Sequence, residues 1–208
     1  NKHSATLPTD IRPREPPPSL GTGGGRNPNP NRRFQQVSMI TRCQILNETS
    51  VDPVHNLAVE SALLGRVRRG LCILYLWQNQ NTVVIGRNQD AWRECRVAEL
   101  TADGGTLVRR PTGGGAVFHD LGNLNFSFIL PQDEYDVPRQ LSVISEALRM
   151  FGLQAEATGR NDMTLNGLKF SGNAFLQQGG VNLHHGTLLV GADFSRMTRY
   201  LMPSRLKL

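Results

Sequence analysis

Three consecutive glycines, Gly113–Gly115, sit between a pair of arginines and a His-Asp pair in the stretch Arg109–Asp120, RRPTGGGAVFHD. An apolar run, TLVRR (106–110), leads in and AVF (116–118) leads out. The pattern predicts strand, tight glycine turn, strand. Glycine has no Cβ, so it reaches dihedrals closed to other residues and lets a ligand approach the backbone. Successive free N–H groups in such a turn can form an anion-binding nest. Arg109 and Arg110 add planar donor forks suited to phosphate or carboxylate. The plain alternative is a glycine-rich hairpin beside a solvated basic pair. The run is not a Walker A loop, because no GK[ST] follows. It is not a dinucleotide fingerprint, because a strand rather than a helix comes next.

The chain has 208 residues, enough for one domain with a sizeable core. Seven of its twelve prolines fall within residues 1–38, along with GTGGG and NPNPN. Those residues show no hydrophobic periodicity and are expected to be disordered or extended, as a linker or an organellar targeting segment. A folded domain is expected over 39–208. Residues 1–38 hold six basic and two acidic residues, +4 of the formal +6. The basic character is therefore not focused on the folded part, and nucleic-acid binding is not expected. Three cysteines do not make a disulfide scaffold, which points to a reducing compartment. No apolar run is long enough to span a membrane as a helix, so no membrane association is expected.

Along the domain, RCQILN (42–47) reads as an edge strand. Asp52 before Pro53 reads as an N-cap, with Val54, Leu57, Ala58, Ala62 and Leu63 giving the helix its apolar face to about Gly65. LCILYLW (71–77) is apolar on both sides and reads as a central strand, with TVVIG (82–86) as its partner. A short helix is expected from Trp92 to Leu100. Asn123–Leu130 is another strand. Asp136 caps a helix from about Pro138 to Phe151, with Leu141, Ile144, Leu148 and Phe151 buried and Gly152 as its stop. Asn166-Gly167 is a type I′ hairpin signal. Beyond it, alternation places Leu168 and Phe170 on one face and Lys169, Ser171 and Asn173 on the other. QQGG reads as a loop, HHGTLLV as leading into a strand, and Asp193 as the cap of a last helix ended by Pro203. The fold class is α/β, a mixed, largely antiparallel sheet flanked by helices.

Lys169 is the leading candidate for chemistry, since a lysine on a ligand-facing strand can hold an anionic oxygen as a point charge. Asn161 and Asp162 begin the same hairpin. Of the adjacent His184 and His185, at most one can face a pocket. His119-Asp120 imitates part of a triad, but no G-x-S-x-G elbow supports serine hydrolysis. No zinc-ligand spacing occurs.

At this point the chain resembles the lipoate–protein ligase A family, within the superfamily that includes biotin–protein ligases and octanoyl transferases. Three blocks carry the likeness in order: Arg109–Asp120 (RRPTGGGAVFHD), Gly159–Ala174 (GRNDMTLNGLKFSGNA) and His184–Leu189 (HHGTLL). NLAVE (56–60), TVVIGRNQDAW (82–92) and EC (94–95) match as well. The resemblance implies a catalytic domain akin to that of biotin ligases and class II aminoacyl-tRNA synthetases. It implies that Lys169 contacts the activated carboxyl and the AMP phosphate. Arg110, Thr112, Gly113, Gly114, Gly115 and Ala116 would line the lipoate and adenylate pocket, with Asn123 nearby. Asn161 and Asp162 would lie toward phosphate and adenine, Asp162 also toward Mg2+ through the phosphates. Gly172, Ala174, His185 and Thr187 would form other parts of the pocket. An apolar channel for the acyl tail would draw on residues such as Val83, Val84 and Phe118.

The implied reaction uses ATP and Mg2+. Lipoate is converted to lipoyl-AMP and passed to a lysine of an apo lipoyl domain of a 2-oxoacid dehydrogenase or of glycine-cleavage H protein. Typical family members continue beyond this chain's last residue, so a C-terminal accessory domain is expected to be absent or to exist as a separate chain. Alternatives stay open: a lipoyltransferase using preformed lipoyl-AMP, an octanoyl transferase, or a lipoate-binding fragment without turnover. Cysteine-thioester transfer is disfavoured because all three cysteines precede the glycine run and Cys95 reads as structural. The expected location is the cytoplasm, or alternatively the mitochondrial matrix.

Overall fold

The computed structural model describes residues 40–159 and 161–202. The Pro/Gly-rich segment 1–38, the first residue of the expected domain (Met39), Arg160 and the Pro203 stop lie outside the described residues. Chain order is β1 (Arg42–Asn47), α1 (Pro53–Leu64), β2 (Leu71–Trp77), β3 (Thr82–Ile85), α2 (Ala91–Glu94), α3 (Val97–Ala102), β4 (Thr106–Arg109) and β5 (Val117–His119). Then follow β6 (Asn123–Pro131), a 3-10 turn, α4 (Val137–Arg149), β7 (Ala155–Thr158), β8 (Asp162–Leu165), β9 (Leu168–Gln178), β10 (Val181–Leu189) and α5 (Phe194–Tyr200).

Two sheets result. The seven-stranded sheet has the order β1-β2-β6-β10-β9-β8-β7, and the three-stranded sheet has the order β4-β3-β5. Each sheet holds one parallel pair, β1 with β2 and β3 with β4; the other pairings are antiparallel. Parallel neighbours need a crossover, and α1 and the α2–α3 segment supply the two. The mixed, largely antiparallel architecture is as the sequence implies, but β3 is not the partner of β2. Both sides of β2 are taken by β1 and β6. The QNQN segment instead turns the chain through Asn81 at φ 44 into the second sheet.

The caps form as expected. Asp52 Oδ1 accepts from the Val54 N–H at 2.9 Å, Asp136 Oδ1 from Arg139 at 3.2 Å, and Asp193 Oδ1 from Ser195 and Arg196. Asn166 and Gly167 both take positive φ, 51 and 78, as a type I′ turn requires. QQGG is not a loop. β9 runs through Gln177 and Gln178, and Gly179-Gly180, at φ 59 and 77, turn directly into β10.

Four other expectations change. The Trp92–Leu100 helix is broken at Cys95, which bridges Leu201, and Trp92 is exposed. Phe151 lies beyond the end of α4 and is exposed, while Leu141, Ile144 and Leu148 pack against the core. Val54, Ala58 and Ala62 are exposed, and the buried face of α1 includes Asn56 and Glu60 with Leu57. The glycine run does not close a hairpin, because β3 lies between β4 and β5.

The core is layered on the sheets. Phe126, Phe128, Leu130 and Met163 of the large sheet pack with Ile144 of α4. Val83, Ile85 and Phe118 of the small sheet pack with Cys95, Leu100 and Tyr200. Among the described residues, no helix is long and apolar enough to cross a membrane.

Candidate active site

Where the small sheet meets the large one, a cavity of about 320 Å³ opens. It is lined on one side by Gly114, Gly115 and Ala116, and on the other by Lys169, Gly172 and Ala174 of β9 and His185 and Thr187 of β10. Asn161 and Asp162 lie at its margin, and Leu57, Trp77 and Val84 give it an apolar wall.

Gly86 makes this junction possible. A Cβ there would lie 2.3 Å from the Gly114 carbonyl oxygen, so the two backbones touch with no side chain between them. Thr112 O accepts from the Arg87 N–H at 2.8 Å and extends the same contact.

Lys169 Nζ lies 2.8 Å from Asp162 Oδ1, and both side chains are about half exposed. The cross-strand register explains how this amine reaches the cavity. Thr164 pairs with Lys169 and Met163 with Ser171, so Phe170 is an extra, bulged residue. The bulge overturns the simple alternation. Ser171 is fully buried and does not share the Lys169 face, whereas Gly172 does. Phe170 packs into the core of the large sheet.

Two residues implied to line the pocket, Thr112 and Gly113, do not touch it, and Asn123, implied to lie nearby, does not reach it either. Thr112 is buried beneath it, Gly113 lends only its carbonyl to Arg110, and Asn123 is buried with its Nδ2 donating to Asn125 Oδ1. Asn125, two positions along β6, lines the cavity instead. Val84 lines it as expected, but Val83 and Phe118 face the core of the small sheet. Alternation along β3 separates Val83 from Val84.

The arginine pair does not present open forks. Arg109 Nη1 donates to the carbonyls of Gly86, Arg87 and Gln89. Arg110 lines the cavity but is 7% exposed, and its donors go to the carbonyls of Val84, Gly113 and Gly115 and to Thr112 Oγ1. Arg110 thus clamps the glycine loop. Burial lowers its pKa to about 10, against the opposing pull of Glu60, so it stays charged at neutral pH.

Glu60 completes the clamp. This carboxylate is fully buried and accepts from His185 Nδ1 at 2.9 Å and from the Ser127 hydroxyl. Ser127 Oγ in turn accepts from Trp77 Nε1 at 3.0 Å. On the other side of the ring, His185 Nε2 lies 2.8 Å from the Thr112 hydroxyl, whose oxygen also accepts from Arg110 Nε. One continuous network therefore joins α1, β2, β6 and β10 to the glycine loop. The sequence reading passed over Glu60. The signal was present, since Asn56, Leu57 and Glu60 share one helical face.

Of the adjacent histidines, only His185 faces the cavity. His119 also lines it, with Nδ1 3.3 Å from Asn79 Nδ2 and Nε2 buried without a partner among the described residues. Burial first, then Arg110 and His185, holds its pKa down to about 3, so it is neutral. Asp120 does not pair with it; its oxygens accept from the N–H groups of Gly122 and Asp193. The triad imitation therefore dissolves. No cysteine lines the cavity, and Cys95 is buried.

Asp162 is the one carboxylate lining the cavity, and no cluster of three His, Cys, Asp or Glu occurs among the described residues. That donor set does not make an all-protein metal cage. It does fit Mg2+, which characteristically takes one or two carboxylates and fills its remaining positions with phosphates and water.

Fold and site together define a mixed α/β domain whose cleft joins an apolar wall to a lysine and a glycine-rich loop. The match is specific: the family model for the lipoyl protein ligase A/B catalytic domain covers residues 52–207, and the chain belongs to that family. A lipoate-protein ligase A of Psychrobacter cryohalolentis is 44% identical over 167 residues, 80% of this chain and 49% of its own. The chain spans about half the length of the curated relatives it matches. Among solved structures, P. falciparum LipL1 in complex with lipoate superposes with a TM-score of 0.72 at 34% identity, covering 77% of this chain and 52% of that one. A lipoate-protein ligase A bound with ATP gives 0.69 at 30%, covering 79% and 72%. A bi-partite lipoate protein ligase of Thermoplasma acidophilum, solved with its E2 lipoyl domain, gives 0.68 at 31%, covering 81% and 69%.

Proposed function

We propose that this domain forms lipoyl-AMP from lipoate and ATP and transfers the lipoyl group to a protein lysine. The carrying observation is the convergence of Lys169, the Asn161–Asp162 pair and the glycine loop on one cavity with an apolar wall. A carboxylate oxygen of lipoate attacks the α-phosphorus of ATP, the bond to pyrophosphate breaks, and pyrophosphate leaves. The acceptor's neutral ε-amine then attacks the acyl carbon, loses a proton, and AMP departs. Lys169 opposes charge growing on the phosphoryl and carbonyl oxygens, a preorganised stabilisation that needs no protein nucleophile. Leu57, Trp77 and Val84 receive the acyl chain. Asp162, together with the substrate phosphates, would hold Mg2+, which would supply charge neutralisation on the departing pyrophosphate.

The relatives bound to lipoate and to ATP support this reading of the two substrates. The bi-partite relative and its E2 lipoyl domain support lipoyl domains as acceptors, and we propose a separate accessory chain as a further partner. We extend the acceptor class to H protein and the comparison of adenylate handling to class II aminoacyl-tRNA synthetases. We place the reaction in the cytoplasm, with the mitochondrial matrix as the other compartment.

An apo lipoyl domain is supplied with lipoate plus Mg-ATP, and separately with lipoyl-AMP, and its mass is measured. A gain from both routes establishes a ligase, and a gain from lipoyl-AMP alone a transferase. No gain from either, with lipoate still bound, overturns the proposal in favour of a binding domain.

A further inference from the structure

His184 takes no part in the cavity, yet it is fully buried between helix α4 and the site. Its Nδ1 lies 2.7 Å from Gln140 Oε1 and its Nε2 2.9 Å from Asn173 Oδ1, so both ring nitrogens face amide oxygens as placed. Burial, then His185, depresses its pKa to about 3, so the ring is neutral and carries one N–H. The two neighbours fix which nitrogen bears it. Asn173 Nδ2 donates to the Asn161 carbonyl at 3.0 Å, so its Oδ1 must face the imidazole and accept from Nε2–H. Nδ1 is then an acceptor and requires a donor from Gln140. Turning the Gln140 amide by 180° supplies it, and also partners the Gln140 Nε2 that is otherwise buried without one. All hydrogens along the chain then point one way: Gln140 to His184, His184 to Asn173, Asn173 to the Asn161 carbonyl.

The far end of this relay is the site. The Asn173 backbone N–H also donates to Asn161 O, at 2.7 Å, so Asn173 grips that carbonyl twice. Asn161 and Asp162 line the cavity, and Asp162 pairs with Lys169. We propose that His184 is a positioning residue which, through Asn173, fixes the Asn161–Asp162 corner of the cavity relative to Lys169. This rests on the adenylate-forming reading of the site. That corner faces the phosphate in this reading, while the apolar wall receives the acyl chain. Loss of the relay therefore weakens adenylate formation and spares acyl binding.

The test uses the full chain with H184Q, H184F and Q140M. Gln at 184 can still donate to Asn173 Oδ1. Phe fills the ring's place beside Phe126, Phe128 and Phe175 but has no donor. Pyrophosphate release from lipoate plus Mg-ATP is expected to fall about tenfold or more in H184F and to stay within about threefold in H184Q, as expected of a misplaced catalytic group. Lipoate affinity by calorimetry should change less than about twofold in both. Equal loss of lipoate binding and turnover, or an unchanged rate in H184F, overturns the proposal. If H184F does not fold, Q140M carries the same comparison and must show the same direction of split. Imidazole ¹⁵N shifts give a reading apart from turnover, since His184 must be neutral with Nε2 protonated; a proton on Nδ1 refutes the relay. A wild-type chain that releases no pyrophosphate would sink the adenylate reading alone. The ¹⁵N shifts, with transfer from lipoyl-AMP as the rate measured, would then still decide the relay.

Discussion

Replacing Glu60 with alanine tests whether the glycine loop depends on a buried charge network. The carboxylate accepts from His185 Nδ1 and the Ser127 hydroxyl and is the buried counter-charge to Arg110. E60A strands two buried donors and leaves the Arg110 cation uncompensated. Breaking a buried ionic network by removing one partner costs about 3–5 kcal/mol. For a domain of this size each kcal/mol lowers Tm by about 2–4 °C, so E60A should melt roughly 6–20 °C below wild type. E60Q keeps the shape and one accepting oxygen and should lose less than about half as much. Differential scanning calorimetry measures both, and lipoate titration should show weaker binding in E60A because the Arg110 clamp loosens. An E60A melting point within about 2 °C of wild type, or one equal to that of E60Q, would refute the reasoning.

Three further outcomes are expected. K169A should lower lipoyl transfer by about 10²-fold or more. Its Tm should move by less than about 4 °C, because the Lys169–Asp162 pair is half exposed and such pairs contribute about 0–1 kcal/mol; a large melting shift with a normal rate would contradict the assignment. G86A places a methyl group 2.3 Å from the Gly114 carbonyl oxygen and should weaken lipoate binding about tenfold, measured by titration. The buried neutral histidines set an acid limit. His119 and His184 titrate near 3 when folded and near 6.5 when unfolded, so the unfolded chain binds more protons between those values. Stability is then complete above about pH 6.5 and falls on acidification by about 1.4 kcal/mol per pH unit for each histidine. Denaturant titrations at pH 7, 6 and 5 should show this slope, and H184Q should remove about half of it; a flat profile would contradict the burial argument.

Local chemistry was the legible part of the fold. Asp52, Asp136 and Asp193 cap the helices the sequence assigns to them, and Asn166-Gly167 turns where the dipeptide requires. Each depends on a few adjacent residues. Partnership between strands was not legible, because β3 reads equally well beside β2 or in a sheet of its own. The bulge at Phe170 was hidden for the same reason, since it exists only against the register of β8. At the site, the blocks around Lys169, the glycine run and His185 do converge. What sequence missed was the direction of hydrogen bonds. Arg110 looks like an anion fork but is committed to carbonyls, and Glu60 looks like a solvated helix residue but is buried.

The bulge has a consequence for how this strand tolerates change in length. Removing one residue from a regular strand exchanges inside for outside along everything that follows. Deleting Phe170 need not do so, because Leu165–Leu168 and Thr164–Lys169 stay matched on one side of the gap, and Met163–Ser171 and Asp162–Gly172 on the other. The shortened chain should keep its amine beside Asp162 and give up only the aromatic ring's packing. Deleting Phe175, within the uninterrupted β9–β10 ladder, should scramble the pattern and abolish cooperative melting.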